Sequence, residues 1–272
     1  MKPLRFARRG LKAARDLMLD SVDSALGRGD ALVPPRRLRF VGDGDFAAIG
    51  NEFAGHLRTL AGLAPDHRIL DVGCGVGRIA IPLLGYLSER GGYDGFDIVP
   101  RAIRWCTKAI TSKNPRFRFA LAALRNRAYH PGSGDSAATY RFEFPDNTFD
   151  VVVATSLFTH LLPAEADNYL NEIGRVLKPG GRCLITWFLR TEESDRLVRE
   201  GRSAIPFAHE YASCMIIDPA VPEAAIAYPQ DTVLASYARA GLSSVLVHPG
   251  EWCGRKKFLS GQDIVVASKT LS

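Results

Sequence analysis

Several features typical of secreted, membrane and metal-binding proteins are missing from this sequence of 272 residues. No apolar run approaches the roughly 20 residues that a membrane-spanning helix needs, and the N-terminus lacks the apolar core and cleavage site of a secretory signal. The five cysteines are scattered and form no CxxC pair, which suggests neither a disulfide framework nor a zinc site. These absences predict a cytoplasmic protein with reduced thiols, built as one large domain with or without a lid.

The net charge of +6 comes from one end of the chain. Six basic residues precede the first acid, Asp16, and subtracting them from the 35 Lys and Arg residues leaves 29, which equals the number of acids. Apolar residues recur at helical spacing among them, so we predict a basic amphipathic helix and connector over residues 1–44. Such a helix packs on its own domain or is solvated. The alternative is weak docking on anionic lipid, which would place the protein peripherally at the membrane surface.

Strand and helix signals alternate along the rest of the chain, residues 45–272. This alternation predicts a parallel sheet covered by helices. Two late apolar stretches, "SSVLVHPG" and "QDIVVASK", predict a terminal hairpin added to the sheet edge. The predicted helices cover "FAAIGNEFAGHLRTLAGLAP", a segment after Gly77, Pro100 to Thr111, "PAEADNYLNEIGRVLKPGG" and "DTVLASYARAGL", and the predicted strands are Arg68 to Val72, "YDGFD", "RFRFALAAL", "TFDVVVATS" and "RCLITWFL".

Two irregular segments interrupt the alternation, and we interpret both as lid-like insertions. Residues 125–145 are polar, rich in turn residues and longer than a usual connection. Their aromatic residues would either cover a bound ligand or pin the loop to the domain. Residues 190–230 lie between the last predicted buried strand of the parallel sheet and the final helix. Together the two segments are expected to surround the substrate.

A glycine-rich turn follows the first predicted strand in "RILDVGCGVGR". Glycines let the backbone bend sharply and let a ligand lie against it, while the following helix offers unpaired N–H groups and a positive dipole. A dinucleotide fingerprint requires a glycine where this sequence has Arg78, and an arginine suits a carboxylate better. Asp97 ends the next strand, where an acid can accept hydrogen bonds from both ribose hydroxyls. The pattern predicts a nucleoside ligand with an amino-acid-like end.

These motifs resemble the class I S-adenosylmethionine-dependent methyltransferases. The resemblance runs from about residue 65 to 190 through "LDVGCGVGR", Asp97, "FDVVVATSLFTHL" and "EIGRVLKPGGRCLITWF", in the expected order. It implies an α/β fold with a Rossmann-like, doubly wound, mostly parallel seven-stranded sheet, an antiparallel terminal strand and helices on both faces. It also implies S-adenosylmethionine as the cofactor.

The resemblance assigns roles to individual residues around that cofactor. Arg78 would lie near its carboxylate, Asp97 would bind the ribose and Ile98 would pack on the adenine. Many relatives carry an acid at the end of the third strand, whereas this chain has Ala122 and Ala123 there. Contact with the adenine edge would then fall to Leu124, Asn126 or the backbone. The remaining residues expected at the cofactor are Asp71, Gly73, Cys74, Gly75, Gly77, Thr155 and Ser156.

The cofactor supplies an electrophilic methyl group, so the protein must align a nucleophile and, for a hydroxyl acceptor, remove its proton. His160 follows the fourth strand, at the edge where open α/β sheets bind ligands, and is the first candidate base. It could instead make a structural hydrogen bond or pack as an aromatic ring. The other candidates are His209, Glu210 and His248, which are more typical of structural or substrate-lining positions.

Further absent motifs limit the class of methyl acceptor. The loop after the fourth strand has no Asn/Asp-Pro-Pro-Tyr/Phe motif, which disfavours methylation of DNA bases and glutamine. No basic stripe interleaved with aromatics appears, so nucleic acid is not expected, and no metal-ligand cluster appears, so no metal is expected. The leading acceptor is a hydroxyl of a small-molecule, sugar or lipid-linked substrate. The alternatives are N-methylation of a small-molecule amine and a cofactor-binding partner protein without catalysis. The oligomeric state stays open.

Overall fold

The computed structural model of the protein describes residues 15–16, 18–20, 32–39, 44–124 and 136–271. Most of the predicted N-terminal amphipathic helix falls outside these residues. So do Asn126 and the first half of the predicted insertion at 125–145.

A seven-stranded sheet forms the centre of the molecule, in the order β10-β11-β5-β4-β1-β2-β3. Strand β11 runs antiparallel to both of its neighbours, and the other neighbouring pairs are parallel. The predicted terminal hairpin is therefore present, and its second strand, β11, lies against β5. The strands of this sheet are β1 (Arg68–Val72), β2 (Gly92–Asp97), β3 (Phe117–Leu121), β4 (Phe149–Ala154), β5 (Leu177–Trp187), β10 (Leu242–His248) and β11 (Asp263–Lys269).

Helices cover both faces of the sheet. Alternate residues of β4 belong to different cores: Val152 lies in the core that includes Tyr169 of α4 and Tyr237 of α6, whereas Val153 lies in the core that includes Leu57 of α1. No helix within the described ranges is long and apolar enough to cross a membrane. The helices are α1 (Phe46–Thr59), α2 (Ala80–Leu83), α3 (Pro100–Cys106), α4 (Pro163–Val176), α5 (Glu192–Arg199) and α6 (Gln230–Arg239), and a π-helical turn, Thr107–Thr111, continues α3.

Two predicted elements differ from the structure. The helix expected after Gly77 is reduced to the four residues of α2. Pro82 supplies no N–H to extend it, and Gly85 follows directly after its C-cap. The helix expected to stop at the proline and glycines of "KPGG" already ends at Val176, and the next residue begins β5. The register between β4 and β5 shifts between Phe149 and Val151, so the Pro-Gly-Gly turn is accommodated in a bulge.

The segment between β5 and α6 folds as a small layer of its own. It contains a four-stranded sheet in the order β6-β9-β8-β7, with a separate apolar core that includes Phe188, Phe207 and Trp252. A 3-10 turn, Pro222–Ala224, precedes β9. The strands of this sheet are β6 (Leu189–Arg190), β7 (His209–Tyr211), β8 (Cys214–Ile216) and β9 (Ile226–Pro229).

The second half of the other predicted insertion, residues 136–145, is anchored to the domain. Phe142 is buried and packs edge-on against Phe96 and Tyr169. Its N–H donates to Glu172 Oε2 at 2.7 Å, and Arg175 donates to the carbonyl groups of Phe142 and Phe144. The aromatic residues of this half pin the chain in place.

Candidate functional site

The glycine turn after β1 adopts a backbone that other residues rarely take. Gly73, Gly75 and Gly77 have φ values of 79°, 54° and 70°, in the left-handed region where glycine carries no steric cost. The N–H groups of Gly73 and Cys74 both donate to the carbonyl of Phe96, at 2.9 and 3.0 Å. The turn is thereby held against the end of β2.

Asp97, the last residue of β2, reaches the same turn. Its Oδ2 accepts a hydrogen bond from the Gly75 N–H at 2.8 Å, and its Oδ1 accepts one from the Val99 N–H at 2.9 Å. Burial raises the pKa of Asp97, and these two N–H groups oppose the rise. Each carboxylate oxygen can accept more than one hydrogen bond, so the pair can still receive ribose hydroxyls.

A polar cleft of about 460 Å³ opens beside the turn. Its walls bring together most of the residues predicted at the cofactor. These are Asp71, Gly73, Cys74, Gly75, Arg78, Thr155 and Ser156. Gly77 lies outside this set; a side chain there would lie 3.0 Å from Ile110 Cδ1, so this glycine allows close packing below the turn.

Asp71 is the most unusual group in the polar cleft. It is 1% exposed, and its Oδ2 accepts a hydrogen bond from the Tyr93 hydroxyl. Its Oδ1 is buried and has no hydrogen-bond partner among the described residues. Burial raises the pKa of Asp71 to about 7, and the neighbouring Asp97 adds to the rise. An unpartnered buried carboxylate oxygen is costly, and an ammonium group placed here would satisfy it.

Two arginines face the same cleft, and one of them was not predicted. Arg78 and Arg39 both line it, and both guanidinium groups lie over the ring of Phe46, at 5.5 and 5.4 Å from its centroid. Burial lowers the pKa of Arg78, with Arg39 adding to the effect. Two cations beside an acid match a group that carries both a carboxylate and an ammonium. No local pattern in the connector marks Arg39, because its position depends on packing against α1.

A second cleft, of about 430 Å³, lies on the other side of Gly73 and is mostly apolar. Ile98 and Leu124 line it, as predicted for residues near an adenine, and Asp97 lies at the side of it that faces the glycine turn. Tyr169 of α4 and Leu161 also contribute, and neither was expected from the sequence. The two clefts share Gly73, so a polar pocket, an acid and an apolar pocket follow one another.

Ser156 stands at the end of β4 with a φ of 54°, which is strained for a residue other than glycine. Its N–H donates to Thr186 Oγ1 at 2.7 Å, and its hydroxyl lies 3.3 Å from Gln262 Oε1. These contacts hold the loop after β4 at the edge of the polar cleft. The loop leads directly to a 3-10 turn, Phe158–His160.

His160 lines neither cleft. Its Nδ1 lies 2.9 Å from the carbonyl oxygen of Glu223, and since a carbonyl only accepts, Nδ1 carries the proton and Nε2 is the basic nitrogen. Burial lowers the pKa of His160, and the Glu223 carbonyl opposes this shift. The ring is therefore neutral at pH 7. Such a histidine has the charge state of a base and is also fixed by a structural hydrogen bond.

The other candidate bases lie away from the two clefts. His209 and Glu210 are exposed on β7, and His248 ends β10 with its Nε2 buried and without a partner among the described residues. None of the three lines the polar or the apolar cleft.

The comparison with known protein families agrees with this geometry. Residues 69–181 match a family model described as a methyltransferase domain. The chain therefore contains a methyltransferase domain over these residues. The matched region holds both clefts apart from Arg39, and the predicted family, fold and cofactor are confirmed.

Curated relatives are similar over only part of their length. A tRNA N(3)-cytidine methyltransferase from Danio rerio is 27% identical over 52% of this chain and 37% of its own. Phosphoethanolamine N-methyltransferase 3 from Arabidopsis thaliana is 26% identical over 57% of this chain and 28% of its own. The chain thus spans well under half the length of these relatives.

A solved structure shares the fold. A SAM-dependent methyltransferase from Methanosarcina mazei superimposes with a TM-score of 0.52 and 22% identity, over 77% of this chain and 95% of that one. The relatives' names include both a nucleic acid and a small amine as acceptors. The prediction that nucleic acid is not an acceptor is therefore not supported.

Proposed function

We propose that this protein transfers the methyl group of S-adenosylmethionine to a hydroxyl of a small-molecule, sugar or lipid-linked acceptor. The binding of this cofactor is supported by Oδ1 of Asp71, which has no partner among the described residues and lies in the polar cleft with Arg39 and Arg78. The cofactor's amino-acid end carries an ammonium group, which is opposite in charge to Asp71, and a carboxylate, which is opposite in charge to the two arginines. Its ribose would meet Asp97, and its adenine would enter the apolar cleft.

When bound, the cofactor supplies an electrophilic methyl group on a sulfonium. The chain's own residues bind and orient the two reactants. The glycine turn fixes the backbone, Asp71 and the two arginines fix the polar end, and the strained Ser156 fixes the loop after β4. His160 Nε2 would accept the acceptor's hydroxyl proton as the oxygen attacks, because Nδ1 is already committed to Glu223.

The acceptor would lie between the loop after β4 and the layer formed by residues 190–230. Two features support this placement. The loop is at the carboxyl end of the parallel strands, where open α/β sheets bind ligands. The 3-10 turns Phe158–His160 and Pro222–Ala224 also pack against each other, which joins the loop to that layer. N-methylation of a small amine is the second candidate, favoured by the similarity to a phosphoethanolamine N-methyltransferase.

Isotope-labelled transfer tests the proposal. Purified protein is incubated with methyl-labelled S-adenosylmethionine and, separately, with extracts of metabolites, glycolipids and RNA. We expect label on an oxygen of a small molecule or glycolipid, identified by mass spectrometry. Label on nitrogen would establish the second candidate. Label in RNA, or cofactor binding without transfer to any extract, would contradict the proposal.

A further inference from the structure

Two buried oxygens at the contact between the loop after β4 and the 190–230 layer have no hydrogen-bond partner among the residues that the structure describes. Thr159 is 0% exposed and Glu223 is 6% exposed. Thr159 Oγ1 and Glu223 Oε2 form no hydrogen bond with any described residue. They lie on the two 3-10 turns that pack against each other, Phe158–His160 and Pro222–Ala224. This contact is outside both cofactor clefts.

The electrostatics of this contact call for a cation. Glu165, at the start of α4, lies near Glu223; burial raises the pKa of Glu165, and Glu223 adds to the rise. Within the described ranges, no Lys, Arg or His nitrogen lies within 4.0 Å of either carboxylate. Removing a carboxylate from water without a compensating partner is strongly unfavourable. Binding of a positive group to the Glu223 carboxylate would therefore stabilise the folded protein.

An ammonium group fits this contact better than a metal ion. One carboxylate oxygen of Glu165 already accepts the Leu162 N–H at 2.8 Å, which completes the cap of α4. Glu223 and Thr159 then supply only a few of the six or more oxygens that calcium or magnesium takes, so several waters would have to complete the shell at this buried contact. An ammonium has three donors, which can serve the carboxylate and the hydroxyl together.

Glu223 also forms a hydrogen bond with His160, so a cation bound to its carboxylate would lie near the proposed base. Its main-chain carbonyl accepts the His160 Nδ1–H, so one residue presents a carboxylate while it orients the proposed base. We infer that Glu223 and Thr159 bind an ammonium group of the methyl acceptor, which is an amino alcohol or an amino sugar. This inference rests on the proposed function, since it takes the hydroxyl near His160 as the methylated group.

Thermal stability measures the role of Glu223 without knowledge of the natural acceptor. We expect Glu223→Gln to raise the melting temperature of the protein by about 2–4 °C, because an unpaired buried charge is removed. Glu251→Gln, at an exposed acid, is the matched control and should leave it unchanged. A lower melting temperature for Glu223→Gln would show that the carboxylate is structural and would overturn the inference.

Amine probes test the ligand class. With saturating S-adenosylhomocysteine, methylammonium chloride should stabilise the wild type more than sodium chloride at equal ionic strength. Glucosamine should likewise stabilise it more than N-acetylglucosamine, which lacks the charge. Both differences should vanish in Glu223→Gln and persist in Glu251→Gln. Equal effects within each pair, including no effect, would overturn the inference.

The same samples separate this inference from the proposed function. S-adenosylhomocysteine alone should raise the melting temperature of the wild type. Absence of that shift would contradict the cofactor site and with it the proposed function. A normal shift combined with no amine-specific effect would overturn the acceptor class alone.

Discussion

The cofactor side and the acceptor side of this molecule are built in different ways. On the cofactor side, the turn after β1 and Asp97 lie within one βαβ unit, and hydrogen bonds such as Gly75 N to Asp97 Oδ2 join residues 22 positions apart. On the acceptor side, His160 meets Glu223 across 63 positions. A short motif therefore identifies the cofactor, whereas the acceptor depends on how a separate layer packs against the loop after β4.

The largest effect is expected on the cofactor side. Gly75 has a φ of 54°, and Gly75→Val would place a branched side chain in a conformation it rarely adopts, against the polar cleft. We expect binding of S-adenosylmethionine to fall below detection by calorimetry. Gly55→Ala is the control, since a methyl group on that helical glycine meets nothing within 4 Å. Near-normal affinity in Gly75→Val would break the assignment of the turn.

The next effect is expected on the acceptor side. His160→Ala should lower turnover by roughly 10²–10⁴-fold, the usual contribution of a general base, with cofactor affinity nearly unchanged. Because burial lowers the pKa of His160, the acidic limb of the wild-type profile should fall below pH 6.5 and should be lost in the variant. His209→Ala, on exposed β7, serves for comparison. Full turnover in His160→Ala together with a lower melting temperature would make this histidine structural.

A smaller effect is expected for a residue of the cofactor side that long-range packing brings to the cleft. Arg39 precedes the matched family region and still lines the polar cleft. Loss of one charge-assisted hydrogen bond in Arg39→Gln should weaken cofactor binding by roughly 10- to 100-fold. The exposed neighbour Arg37 provides the matched control, Arg37→Gln. Equal affinities for the two variants would remove Arg39 from the site.

The sequence predicts what short-range patterns determine. A continuous apolar run in "DVVVA" locates β4, and the resemblance carried by Asp71, Gly75 and Asp97 locates the cofactor clefts. Pro82 shortens the helix after Gly77. This signal is local, but an interpretation of the segment from its glycine spacing alone does not use it. Arg39 could not be found in this way, because its contacts with the Pro34 carbonyl and the ring of Phe46 form only in the folded protein.

On the acceptor side, even less could be predicted from the sequence. Glu223 lies in a turn with no motif, and its position matters because this turn packs against the turn that carries Thr159 and because its carboxylate acts on Glu165. Long-range packing of this kind leaves no periodic trace in a single sequence.

Calorimetric titration with S-adenosylmethionine at pH 6 and pH 8 tests the central claim most directly. The pKa of Asp71 is raised from 3.8 to about 7, so in the free protein this carboxyl is mostly protonated at pH 6 and mostly ionised at pH 8. An ammonium needs the ionised form, so affinity should rise roughly tenfold between the two pH values. Asp71→Asn should remove this rise. Failure to bind at either pH, or binding of NAD instead, would contradict the account.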